Sequence, residues 1–219
     1  MNKKRLSTKE LTTLAMLTAI AYVLVCAIRI PVVLFLKYEP KDVVITIGGF
    51  LLGPMASVIS SAVVALIEMV SISDTGIIGC IMNFLSTCAF SCVAALVYRR
   101  NHTLTGAILG LAFGSGVMTV VMLLWNYLIT PLYMGVSRAD VAALLIPAFL
   151  PFNALKAGLN SAITMLLYKP LVTGLRKAGL VSPSQGTPAS SGGKSGVWIV
   201  SAIVLVTCIL LVLVMRGII

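Results

Sequence analysis

The segment AALLIPAFLPFNALKAGLNSAITMLL, residues 142–167, decides the fold, because it is apolar and long enough to cross a membrane as a helix. Asn153 and Lys156 lie inside it, three residues apart, and so share one helical face. An amide or ammonium buried in hydrocarbon is costly unless it meets a partner or a water-filled cavity. The pair therefore predicts a binding site within the membrane. The alternative is a lysine that snorkels to the surface beside an amide bonded to a neighbouring helix.

The composition of the whole chain is that of an integral membrane protein. Of its 219 residues, 59% are hydrophobic and 10% are charged, and the mean hydropathy is +1.10. A soluble protein of this length could not bury so much apolar surface. The net charge of +10 is divided among short clusters between apolar segments. This distribution favours positive-inside topology over nucleic-acid binding.

The first predicted span, residues 11–29, follows a capping box formed by Ser7 and Glu10. No small-residue cleavage site follows the basic start, so we expect this helix to be retained. The next apolar run, residues 43–70, is broken at Gly53-Pro54, which indicates either a kinked helix or a helical hairpin. A hairpin puts the Arg99-Arg100 pair on the same side as the basic N-terminus and is therefore preferred. Its first arm must begin within the preceding loop or stop short of the membrane face.

The predicted fold class is an all-α integral membrane protein, a six-helix bundle with one extra C-terminal transmembrane helix. The remaining bundle spans are 76–98, 104–130 and a segment from 142 or 147 to 168. We expect residues 1–178 to form the substrate-binding domain and 179–196 a flexible Gly/Ser/Pro linker. Residues 197–219 are predicted to be a simple anchor helix. The N-terminus should be cytoplasmic, and the C-terminus extracellular if the last helix spans.

Helix rise places further polar side chains at the depth of Lys156, in the outer third of the membrane. They come from four helices and lie beneath a charged loop, residues 31–42, predicted to be extracellular. The set is Glu68, Asn83, Asn126, Asn153 and Lys156. Their convergence predicts a pocket open to the outside. Trp125, Tyr127 and Tyr133 either stack on a ligand there or form an aromatic belt at the interface.

Other patterns bear on packing and chemistry. Gly106, Gly110 and Gly114 are spaced for close helix packing, and the Ala15/Ala19 pair either packs internally or presents a flat groove to another subunit. The cysteines lie in apolar spans, away from the only histidine, His102, so we expect no metal site. Catalytic motifs and nucleotide-binding loops are absent from the sequence, which predicts that the chain is not an enzyme and cannot use ATP alone.

Three segments carry a family resemblance: LKYEPKD (36–42) followed by IGGFLLGP (47–54), NY (126–127) leading to PLY (131–133), and PFNALK (151–156). Together they resemble the riboflavin-specific substrate-binding (S) component of energy-coupling factor (ECF) vitamin transporters, over about residues 8 to 178. The resemblance implies capture of the vitamin from outside, and docking on a transmembrane coupling subunit with two ATPases. These partners use ATP and drive reorientation in the membrane, so no cofactor is expected here. The last helix departs from the six-helix family plan.

The resemblance also implies roles for individual residues. Riboflavin is uncharged, and amides with one cationic donor among aliphatic walls suit it. The loop from Leu36 to Asp42 is expected to close over the ligand, and Ala15 and Ala19 are similar to the family's docking motif. The predicted binding residues are Leu36, Tyr38, Glu39, Asp42, Glu68, Asn83, Asn126, Asn153 and Lys156. FMN binding, an S component for another vitamin and a membrane scaffold all remain open.

Overall fold

The computed structural model describes residues 7–180 and 194–215, most of which are helical. The helices are α1 (Thr8–Ala27), α2 (Lys41–Leu52), α3 (Pro54–Ser71), α4 (Gly76–Arg100), α5 (Leu104–Met134), α6 (Arg138–Leu144), α7 (Leu150–Lys177) and α8 (Lys194–Met215). One π-helical turn, Leu145–Phe149, joins α6 to α7 and makes them one continuous span. In the described part of the chain, five segments are long and apolar enough to cross a membrane, and α8 contains a shorter apolar stretch, Trp198–Leu213.

Helix α1 begins as its sequence predicts. The Ser7 backbone N–H donates to Glu10 Oε2 at 2.7 Å, and the Glu10 N–H donates to Ser7 Oγ at 3.3 Å. Leu17 and Ala21 are buried, whereas Ala15 and Ala19 are exposed on the opposite side. The alanine pair therefore faces out of the bundle and does not pack internally.

The break at Gly53-Pro54 separates two helices, which confirms the helical hairpin. Gly53 has φ +97°, a conformation that favours glycine, and Pro54 occupies the first position of α3, where its missing N–H costs nothing. Helix α2 has 12 residues, so at about 18 Å it is too short to span the hydrocarbon core. It is surrounded by α1, α3, α4 and α7, and this brings the start of α2 into the interior of the bundle.

The glycines of α5 bring it against α4, as their spacing predicts. A Cβ on Gly110 would lie 2.6 Å from the carbonyl oxygen of Ala94, and a Cβ on Gly114 would lie 2.5 Å from that of Phe90. This contact orients the far half of α5 so that Met122 and Asn126 are buried.

The predicted loop, residues 31–42, contains regular structure that the sequence analysis did not predict. An antiparallel β-hairpin forms there, with strands β1 (Ile30–Val33) and β2 (Leu36–Tyr38) and Leu34 at φ +51° in its turn. Short paired strands are stabilised by hydrogen bonds to each other and need no regular alternation of polar and apolar residues. Without that alternation, the sequence gives no signal of a strand. The sixth span also begins earlier than predicted, at Arg138, because α6 has its own capping box at Ser137 and Asp140.

Helix α8 packs along α7 and also contacts β1. A Cβ on Gly158 of α7 would lie 2.9 Å from Cys208 Sγ of α8, so the two helices are in close contact. Most of the predicted linker, residues 181–193, lies outside the described residues.

Candidate functional site

A cavity of about 230 Å³ lies between the β-hairpin and the adjoining ends of α4, α5 and α7. Five of the nine predicted binding residues line it: Leu36, Glu39, Asn83, Asn153 and Lys156. The hairpin covers the cavity from one side. The apolar part of the cavity lining includes Met82, Met122 and Phe152. A small polar ligand with an apolar face would fit such a lining.

Lys156 is buried and paired, so it does not snorkel. Its Nζ lies 3.3 Å from Asp42 Oδ2 and donates to Ser86 Oγ at 3.3 Å. Asp42 is fully buried and also accepts from Thr87 Oγ1 at 2.7 Å and from Asn160 Nδ2 at 3.0 Å. An ammonium has three donor hydrogens, and these two contacts leave one that can reach a ligand in the cavity.

A second cluster of charges lies at the start of α2. The Lys41 ammonium lies 2.7 Å from Glu39 Oε2 and 2.6 Å from Glu68 Oε1, and Arg29 Nε lies 2.9 Å from Glu39 Oε1. Burial alone would raise the pKa of Glu39, but the neighbouring ammonium of Lys41 outweighs it and holds that pKa below its ordinary value. Lys41 is only 2% exposed, so its ammonium depends on the carboxylates of Glu39 and Glu68 for its charge.

The predicted amides have different surroundings. Asn83 Nδ2 donates to Glu68 Oε2 at 2.8 Å. Asn153 Nδ2 donates at 2.8 Å to the carbonyl oxygen of Phe149, which is the last residue of the π-helical turn. Asn126 is buried and does not line the cavity, although Met122, one turn earlier in α5, does. Asn126 Oδ1 accepts from Thr130 Oγ1 at 3.0 Å. Its Nδ2 has no hydrogen-bond partner among the described residues. A buried donor left unsatisfied costs about 1–3 kcal/mol, which makes this amide a candidate for ligand binding.

Asn160 is a site residue that the sequence analysis missed. It accepts a hydrogen bond from Tyr38 Oη at 3.2 Å and donates to Asp42, so it connects β2 to α2. Burial and the nearby Asp42 raise the pKa of Tyr38, so its hydroxyl stays protonated. The signal was available, because Asn153, Lys156 and Asn160 follow helical spacing and lie on one face of α7. Ser86 and Thr87 gave no comparable signal, since hydroxyls are common in membrane helices.

Two contacts hold the β-hairpin to the loop between α3 and α4. Lys37 Nζ lies 2.8 Å from Asp74 Oδ2, and Arg29 Nη1 donates to the carbonyl oxygen of Ile72 at 2.6 Å. The hydrogen bond from Lys37 lowers the pKa of the exposed Asp74. The cavity is therefore covered by a strand pair whose attachment on this side is partly exposed to solvent.

A family model described as "ECF transporter, substrate-specific component" matches residues 9–168. The chain belongs to this family. It is 32% identical over 179 residues to riboflavin transporter RibU of Staphylococcus aureus (strain TCH60), covering 77% of this chain and 93% of that one. It is 26% identical over 185 residues to riboflavin transporter FmnP of Bacillus subtilis (strain 168), covering 78% and 97%.

A solved S component of a bacterial ECF transporter has the same fold, with a TM-score of 0.65 and 30% identity over 77% of this chain and 98% of that chain. Family membership confirms the predicted membrane fold and makes this S component a transport protein rather than an enzyme. The roles of single residues remain predictions. Helix α8 lies beyond the residues that the family model matches.

Proposed function

We propose that this S component binds riboflavin in the cavity beneath the β-hairpin. It would deliver the vitamin through a complex with a transmembrane coupling subunit and two ATPase subunits. Two relatives are named riboflavin transporters, and this chain covers more than nine-tenths of each. The observation that carries the proposal is the balance of charge around the cavity. Three cations, Arg29, Lys41 and Lys156, are paired with Glu39, Glu68 and Asp42 respectively.

Paired charges suit an uncharged ligand, because each ion already has its partner and only the remaining hydrogen-bonding groups need to be satisfied. In riboflavin these would be the polar ring edge and the ribityl hydroxyls, with the spare Lys156 hydrogen and the Asn126 and Asn153 amides as partners. FMN adds a phosphate that would need a free cation. Lys37 is partly exposed at the cavity mouth but is paired with Asp74, so riboflavin should bind more tightly than FMN.

The proposed assembly uses the exposed Ala15/Ala19 face of α1. Small side chains let another helix approach closely in the membrane, and the main contacts of α1 within the bundle are with α2 and α3, on its other faces. ATP would be used only by the partner subunits, and this chain would need no cofactor of its own.

For the orientation in the cell membrane, we place the N-terminus in the cytoplasm, since basic residues gather at that end of the bundle. Cys208 lies about 20 Å into α8 and packs against Gly158, well inside α7. Helix α8 thus reaches the depth of a span, which supports an extracellular C-terminus.

The test is a titration of the full-length protein, purified in detergent, with riboflavin and FMN. Quenching of flavin fluorescence reports binding, and thiamine serves as a competitor that should not displace flavin. We expect saturable quenching, weaker for FMN. If flavin does not bind and mass spectrometry finds another vitamin retained, the substrate is different. Absence of any small-molecule ligand would favour the scaffold alternative.

A further inference from the structure

Helix α8 has one buried face. Ser201, Leu205, Cys208 and Val212 recur at helical spacing and are buried or half-buried. Most of the other side chains described on this helix are exposed, such as Val206 at 55% and Leu211 at 49%. A helix that only anchored the chain in lipid would have no reason to bury a stripe of this kind.

The buried stripe meets α7 at the level of the binding site. Gly158, which provides the close contact with Cys208, lies between Lys156 and Asn160 in the sequence. Those two side chains both contact Asp42. Helix α8 therefore packs on the side of α7 that adjoins its polar, site-forming face.

The same stripe reaches the β-hairpin. Cys208 belongs to one apolar cluster with Leu36 and Tyr38 of β2 and Phe152 of α7, and Leu205 and Val212 pack against it. Leu36 and Phe152 from this cluster also line the cavity. Helix α8 thus lies behind the cavity wall and touches both the hairpin and α7, without lining the cavity itself.

We propose that α8 is a positioning element of the binding site, which holds the β-hairpin closed against α7 and so slows release of the ligand. Opening the hairpin would break up the apolar cluster that Cys208 shares with Leu36 and Tyr38. In lipid such contacts stabilise by close packing, and each one broken on opening adds to the barrier. The inference rests on the proposed function, and it concerns a helix that lies beyond the family match at residues 9–168.

The first experiment compares two pairs of substitutions in the full-length protein. Leu205→Ala with Val212→Ala shortens two side chains of the buried stripe, and Val206→Ala with Leu211→Ala makes the same chemical change on the exposed side. Stopped-flow flavin fluorescence gives the association and dissociation rates separately. We expect dissociation roughly three- to tenfold faster for the buried pair, with little change in association, because contact losses act mostly on dissociation. The exposed pair should match the parent.

A general loss of stability would lower the melting temperature without this selective change in rate, so thermal unfolding without flavin is measured in parallel. If the buried pair does not fold, Val212→Ala alone is compared with Val206→Ala. Equal dissociation rates for a buried-face variant and its exposed-face control would overturn the proposal.

The second experiment ties α8 to α7 by a covalent bond between positions 158 and 208. The 2.9 Å between a Cβ at position 158 and Cys208 Sγ is close to the roughly 3 Å that an S–S bond of about 2.05 Å allows. Gly158→Cys, added to the Leu205→Ala and Val212→Ala pair, should therefore form a disulfide with Cys208 on mild oxidation, detected as the loss of two alkylatable thiols. Gly158→Ser is the control.

Oxidation should return dissociation to the parent rate, and reduction should reverse it. A disulfide that forms and leaves fast dissociation unchanged would refute the role of α8. If the parent protein binds no flavin at all, the proposed function is refuted instead. That result is distinct from an unchanged dissociation rate, which would refute only the role of α8.

Discussion

The Lys156 ammonium lies 3.3 Å from the Asp42 carboxylate, and this contact joins the start of α2 to the second turn of α7. Both side chains are buried, so each depends on the other for its charge. The contact makes Lys156 at once a structural partner of Asp42 and a donor with one hydrogen to spare. Its two roles can be separated by mutation.

Replacing Lys156 by Met should weaken flavin binding roughly ten- to 150-fold, since a hydrogen bond from a charged group contributes about 1.5–3 kcal/mol. The same change leaves Asp42 without its cation and should lower the melting temperature. Adding Asp42→Asn should restore much of the stability without restoring the affinity. Fluorescence quenching and thermal unfolding measure the two effects. Lys169→Met, at an exposed position of α7, is the control. Unchanged affinity in the folded Lys156→Met protein would restrict the lysine to a structural role.

Replacing Lys41 by Met should destabilise the protein by about 3–5 kcal/mol, because Glu39 and Glu68 would be left as neighbouring buried carboxylates. Glu68→Gln in the same protein should recover part of the loss. The partly exposed Lys37 offers a control, since Lys37→Met should hardly alter the melting temperature in detergent. Equal destabilisation by the two lysine substitutions would contradict the importance of the buried cluster.

The stability that Glu39 contributes should depend on pH in the acid range. Its pKa is held below its ordinary value of 4.5, so its contribution is fully present above that value and is lost as the pH falls through the lowered pKa. The difference in melting temperature between the parent and Glu39→Gln should therefore be constant from about pH 5 to 7 and should shrink in stronger acid. A difference that grows in acid would mean that the folded protein raises this pKa.

Replacing both Ala15 and Ala19 by Trp should abolish vitamin uptake by cells that contain the coupling and ATPase subunits, because bulky rings on α1 prevent close helix approach. Flavin binding by the purified variant should persist, since both alanines are exposed in the isolated chain. Val120→Trp with Leu124→Trp places the same rings, four residues apart, on the exposed side of α5 and should leave uptake intact. Loss of uptake in both double variants would show that the alanine face has no special role.

The sequence predicts the parts of this structure that depend on local spacing. Asn153 and Lys156 share a face because helical geometry requires it, and Gly53-Pro54 ends one helix and begins another for reasons contained in those two residues. The ion pair of Lys41 with Glu68 depends on how α2 and α3 fold back on each other, which no local pattern specifies. The contact of α8 with α7 was equally hidden. An aliphatic helix in lipid has no polar side to indicate which face is buried.

The pairing of the charges around the cavity has an electrical consequence. A single elementary charge moved across a membrane potential of 100 mV gains or loses about 2.3 kcal/mol. Arg29, Lys41 and Lys156 are balanced by Glu39, Asp42 and Glu68 within the same site, so their net charge is zero. Under the proposed function, movement of this site with an uncharged ligand through the bilayer would require no electrical work from the site's own charges. The membrane potential would then neither drive nor oppose the movement of the site itself.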